Sequence, residues 1–109
     1  DQSMTYSGAL FEGDRARSLE NAQLAKYRRI LDRLGVKKGE HILEIGCGWG
    51  GFAAYAAQQG IRVTAITISE RQAAYAMERL SEIGLTDRVS VELCDYREIK
   101  GRYDYAVSI

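Results

Sequence analysis

The chain has 109 residues, 46% of them hydrophobic and 28% charged, a balance that suits one globular unit and argues against disorder. Its 15 basic and 15 acidic side chains cancel, so no basic excess exists to follow a phosphate backbone, and nucleic acid is set aside as a partner. The longest apolar run falls well short of the ~20 residues of a membrane span, and no signal-peptide pattern is present. Two cysteines and one histidine, without a CxxC spacing, give neither a disulfide framework nor a metal site, and a reducing, cytoplasmic setting is expected.

Residues 1–17 lack periodicity. Met4 to Phe11 is apolar and aromatic and Glu12 to Arg17 is mostly charged, which reads as an extended arm or short helix, with a frayed terminus as the plain alternative. Ser18 is expected to open the first helix as its cap. Leu19, Gln23, Tyr27, Ile30, Leu31 and Leu34 follow 3.6-residue spacing, and Gly35 is a natural stop. Lys26, Arg28, Arg29 and Arg33 crowd the later turns, either as a solvated face or as a contact for lipid headgroups. Strands are predicted at His41–Ile45, Arg62–Thr67, Val89–Leu93 and Tyr103–Ile109. Helices are predicted from Gly50 to about Gln59 and from Glu70 to Ile83, the latter with Ala73, Met77 and Leu80 on one face and Gly84 as its stop. Strand and helix alternating at this spacing imply parallel strands with right-handed crossovers. The expected fold is therefore α/β, half of a doubly wound Rossmann-like sheet in the order 3-2-1-4 with helices on both faces. Residues 1–35 would form an arm and helix and residues 36–109 the core of one unit. The chain begins at Asp1 and stops at Ile109 inside a predicted strand, so we expect a piece of a longer protein.

The first strand-to-helix turn reads Glu44-Ile45-Gly46-Cys47-Gly48-Trp49-Gly50-Gly51. Gly46 lets the chain turn off the strand, Gly48 leaves the backbone open to a ligand, and Gly50 or Gly51 lets the helix pack close to the strand. The first-turn amides of that helix then face the ligand. Gly46, Gly48 and Gly51 fit GxGxxG, a weak dinucleotide signal. Glu44 argues against it, because a dinucleotide turn has an aliphatic residue there; a carboxylate suits the ammonium group of an amino-acid-like ligand. The second strand also ends in neutral Thr67, where a dinucleotide site wants an acid for the ribose. The spacing Glu44-x-Gly46-x-Gly48-x-Gly50 instead matches the loop of class I S-adenosylmethionine-dependent methyltransferases. Asp95 and Tyr96, after the third strand, suit an adenine amino group and a stacked ring; a helix cap and core packing are their plain alternatives.

Several stretches together resemble the cyclopropane-fatty-acyl-phospholipid synthases. They are Met4-Thr5-Tyr6-Ser7, Ser18 to Gln23, Leu43 to Phe52, Ile66-Thr67-Ile68-Ser69 with Gln72, Asp87-Arg88-Val89, Cys94 to Arg97, and Val107-Ser108-Ile109. Related members act on mycolic acids or add methyl branches to fatty acids. The resemblance implies an S-adenosylmethionine cofactor and an unsaturated phospholipid or fatty-acyl substrate. The acyl double bond would attack the sulfonium methyl, and bicarbonate would remove the proton. It further implies that Tyr6 and Ser7 hold the cofactor carboxylate and that Gly46 and Gly48 line its methionine part. Thr67, Ile68 and Gln72 would contact ribose and adenine, Asp95 and Tyr96 the adenine, and Ile109 the sulfonium region. Gln72 also completes a possible capping box with Ser69.

Gly8 stands where many members carry a cysteine of the bicarbonate site, which puts bicarbonate in doubt. The family's later carboxylate, histidine and tyrosine would follow Ile109, so catalytic residues are expected beyond it and little turnover from these residues alone. Peripheral membrane contact fits such a substrate. Three other readings stay open: a class I methyltransferase for a small molecule or for methyl branching, a non-catalytic nucleotide module that pairs as a homodimer through its fourth, edge strand, and an NAD dehydrogenase. Cys47 and Cys94 read as packing, and His41 as a surface residue.

Overall fold

The computed structural model describes residues 13–109, with side chains from Leu19 onward. The elements are α1 (Gly13–Leu34), β1 (His41–Ile45), α2 (Gly51–Gln58), β2 (Arg62–Thr67), α3 (Glu70–Glu82), β3 (Val89–Leu93), a short 3-10 turn (Tyr96–Glu98) and β4 (Tyr105–Val107). The strands form one parallel sheet in the order β3-β2-β1-β4, as expected.

Helix α1 starts upstream of the expected cap: Ser18 lies inside it. Arg15, Ala16 and Arg17 are good helix formers and carry the helix past a serine, whose interior cost is only a few tenths of a kcal/mol, roughly. Its end is as expected, with Gly35 at φ 70° and the Gly35 amide donating to the Leu31 carbonyl at 3.1 Å. Leu31 is buried and Tyr27, Ile30 and Leu34 pack on the core, whereas Leu19 stays exposed. β4 is shorter than the predicted Tyr103–Ile109, because only Tyr105 to Val107 find partners on β1.

One face of the sheet carries the main core. Ile42, Val63 and Val89 sit side by side on β1, β2 and β3, and Phe52, Ala53, Ala56 and Ala57 of α2 are buried in the same cluster. Alanine-rich α2 lets backbone approach backbone, and each fully buried Ile or Val contributes about 1.5–3 kcal/mol. In α3 the buried stripe is Ala73, Ala76 and Leu80; Met77, expected there, lies to its side and is exposed.

The β1-to-β2 and β2-to-β3 crossovers advance in one direction, so right-handedness puts α2 and α3 on the same face. The return from β3 to β4 crosses the other. Leu43, Thr64 and Ile66 are buried on that side. His41 is half-buried rather than a simple surface residue: its Nε2 lies 2.7 Å from Thr64 Oγ1 and its ring packs edge-on against Tyr103. The carboxyl ends of all four strands share one rim, and the strand order reverses there between β1 and β4, the place where open α/β sheets bind ligands. Among the described residues no helix is long and apolar enough to cross a membrane.

Candidate functional site

The glycine loop sits on that rim. Gly46 and Gly48 have φ of 80° and 56°, a region side-chain-bearing residues avoid. The amides of Gly46 and Cys47 both donate to the Ile66 carbonyl at 2.9 Å, which pins the loop to the end of β2. A Cβ at Gly46 or Gly48 would meet nothing within 4 Å, so their bare sides face open space. The next two glycines serve a different contact from the one expected. A Cβ on Gly50 would come within 3.2 Å of Ala76 Cβ, and one on Gly51 within 2.8 Å of the Tyr27 hydroxyl. They let α3 and α1 close on the start of α2, rather than α2 on its strand. Gly50 also caps α2 without a side chain, so no side-chain acceptor satisfies the first-turn amides.

A cavity of about 260 Å³ lies on one side of the loop, lined by Gln23 and Tyr27 of α1, Glu44, Gly46 to Trp49, Arg79 and Ile109 among others. Glu44 is 2% exposed, and its Oε1 has no hydrogen-bond partner. Burial pushes its carboxyl up to about 8, so it carries its proton at neutral pH. The same burial, with the Glu44 carboxylate nearby, raises the Tyr27 hydroxyl and pushes the Cys47 thiol up to about 11. A protonated, buried Cys47 is packing rather than a nucleophile. Gln23 donates to the Tyr27 hydroxyl at 3.3 Å, and Arg79 reaches the Trp49 carbonyl at 3.5 Å.

A second cavity, of about 440 Å³, adjoins the first at Gly46 and is lined by Ile66 to Ser69, Gln72 and Cys94 to Arg97. The Thr67 hydroxyl accepts from the Ser69 amide and donates to Gln72 Oε1, both at 3.1 Å. Ser69 caps α3 by accepting from the Gln72 amide at 3.2 Å. The capping box is thus half made: the Gln72 side chain turns to Thr67, on the cavity wall, instead of back to the Ser69 amide. Asp95 does cap the 3-10 turn, accepting from the Arg97 amide at 2.9 Å, and it pairs with the Arg97 guanidinium at 2.7 Å. Ile68 and Tyr96 are exposed, so their apolar surface is open to a ligand.

The structure therefore gathers Glu44, Gly46, Gly48 and Ile109 around one cavity and Thr67, Ile68, Gln72, Asp95 and Tyr96 around its neighbour, with Gly46 shared. Tyr6, Ser7 and Gly8 lie outside the described residues. Tyr27, Arg79 and Arg97 were missed. The first two come from helices far from the loop in sequence; Arg97, next to the Asp95-Tyr96 pair, was the one a closer reading could have found.

The sequence matches the mycolic acid cyclopropane synthetase family over residues 1–109. It is 41% identical to the tuberculostearic acid methyltransferase UfaA1 of Mycobacterium tuberculosis and 39% identical to the cyclopropane-fatty-acyl-phospholipid synthase of Escherichia coli. Each alignment covers 100% of this chain and 27% of the relative, so the chain spans about a quarter of their length. The fold superposes on the mycolic acid cyclopropane synthase CmaA1, solved with SAH and CTAB, with a TM-score of 0.82 and 32% identity over 100% of this chain and 38% of that one. On the cyclopropane synthase MmaA2 of M. tuberculosis the TM-score is 0.77 at 36% identity, over 84% of this chain and 32% of that one. A match along its whole length, on a Rossmann-like sheet of the same order, makes this chain a member of the mycolic acid cyclopropane synthetase family.

Proposed function

We propose that the two adjoining cavities bind S-adenosylmethionine, and that the protein carrying them transfers a methyl or methylene group to the double bond of an unsaturated fatty-acyl phospholipid. The observation that carries the cofactor reading is the buried, unpartnered Glu44 oxygen beneath a loop whose glycines leave open space. An ammonium group supplies the partner this oxygen lacks. CmaA1 having been solved with SAH supports the same cofactor reading, and the lipid reading draws on the names of the relatives.

When bound, the cofactor supplies an electrophilic methyl on sulfur. Glu44 takes its ammonium group; Gly46 and Gly48 give the methionine part room; the uncapped start of α2 favours its carboxylate, which Tyr6 and Ser7 are assigned to close over. Thr67, Ile68 and Gln72 hold the ribose and adenine, and Asp95 and Tyr96 the adenine. Ile109, on the wall of the first cavity, would flank the sulfonium region and help keep water from it. To these 109 residues we assign cofactor capture and no proton-removing group, and Gly8 gives no thiol for a bicarbonate site. A lipid substrate would bring the protein to a membrane surface.

Calorimetric titration of the chain with S-adenosylhomocysteine and, separately, with NADH tests the cofactor assignment. One equivalent of S-adenosylhomocysteine bound and no NADH is expected; the reverse would overturn it. Product analysis on unsaturated phospholipid with the intact protein tests the transfer, and cyclopropane or methyl-branched chains are the expected products.

A further inference from the structure

We propose that Arg97 is a positioning residue: it holds the Asp95 carboxylate to receive the exocyclic amine of adenine, and so sets a preference for a 6-amino over a 6-oxo purine. The proposal rests on the cofactor reading above and adds a residue to it. Both side chains line the second cavity with Tyr96, Thr67 and Gln72.

The grip has three points. Asp95 Oδ1 accepts from the Arg97 backbone amide at 2.9 Å, which places the carboxylate at the head of the 3-10 turn. Arg97 then folds back on it, with Nε donating to Oδ1 at 3.1 Å and more distantly to Oδ2 at 3.3 Å, and Nη2 to Oδ2 at 2.7 Å. The terminal torsion of an aspartate is broad, and a planar fork on both oxygens fixes it. An ionised carboxylate offers about four lone-pair sites; the three N–H groups of Arg97 engage it, one of them shared between both oxygens but nearer Oδ1, so Oδ2 has one close donor and a site for a second. That site accepts an N–H and repels a carbonyl oxygen. Pairing with Arg97 holds the Asp95 carboxyl below the usual carboxylate range, so it stays acceptor-only.

The pair is exposed, at 75% for Arg97 and 33% for Asp95, so it adds little to fold stability. Its removal should be felt in binding instead. S-adenosylhomocysteine and S-inosylhomocysteine, which differ at the 6-position and the adjoining ring nitrogen, are titrated into the intact protein and into Arg97→Ala and Arg97→Lys. The unaltered protein should prefer the 6-amino ligand. Arg97→Ala should bind it about tenfold more weakly while the 6-oxo ligand changes little, so that the preference collapses at an unchanged melting temperature. Arg97→Lys, which keeps the charge without the fork, should behave like Arg97→Ala.

Four results would overturn the inference: a preserved preference in Arg97→Ala, tighter binding of the 6-amino ligand there, equal loss of both ligands, or full recovery in Arg97→Lys. Failure of the unaltered protein to bind S-adenosylhomocysteine at all is a different result; it removes the cofactor reading, and this inference with it.

Discussion

Glu44 holds a proton that it would release in the unfolded chain, because burial leaves one of its oxygens without a partner. The sign of the consequence follows from linkage. A carboxyl raised from 4.5 to about 8 gives its full contribution to stability below pH 4.5 and loses it as the pH climbs toward 8. The loss is on the order of 4 kcal/mol. Urea unfolding between pH 5 and pH 9 should show that slope, and Glu44→Gln, neutral throughout, should flatten it and be the more stable form at pH 9. A flat profile for the unaltered chain would mean the carboxylate has found a partner. The same residue links binding to protons: an ammonium ligand favours the ionised form, so S-adenosylhomocysteine should bind more tightly at pH 8 than at pH 6 and expel a proton. Calorimetry in two buffers of different ionisation enthalpy measures that release. Glu44 itself was legible in the sequence as an oddity, a carboxylate two positions before a glycine turn. That it is neutral was not legible, because neutrality depends on its burial, to which elements distant in sequence contribute.

At the scale of elements, β1 and β2 stand where their apolar runs place them, since a buried parallel strand needs a largely apolar stretch, and the edge strand β3 where its alternation of apolar and polar residues places it. The misplacements have physical causes. Ser18 carries a cap signature but follows residues that already favour helix, and a local signal cannot show that the turn before it is also helical. Met77 satisfies helical spacing, yet the surface α3 meets is small-residue backbone around Gly50, which Ala76 fits and a long side chain does not. That junction gives a test. Gly50→Ala adds both a methyl 3.2 Å from Ala76 Cβ and a side chain at φ 91°, and should cost about 2 kcal/mol in chemical denaturation. Adding Ala76→Gly should recover only the steric part. Full recovery would show that the backbone conformation at Gly50 costs nothing.

For the molecule as a whole, order is graded across the sheet. β1 and β2 are each paired on both sides, whereas β4 is a three-residue edge joined to β1 alone. Hydrogen exchange should therefore be slowest in β1 and β2 and fastest in β4. S-adenosylhomocysteine should slow exchange together in three separated segments, 46–51, 67–72 and 94–97; protection of only one would break the single-site reading. The overall order 3-2-1-4 was legible because crossover handedness leaves few arrangements. The closing of two cavities onto one glycine was not, since it depends on where three loops meet in space. That meeting point has a further consequence. A nucleoside and an amino acid would touch different walls and share only one α-carbon between them, so adenosine and methionine offered as unjoined fragments should each dock feebly, neither displacing the other. Tethering them through a single sulfur would then gain affinity chiefly from proximity, as a linker does between two weak ligands.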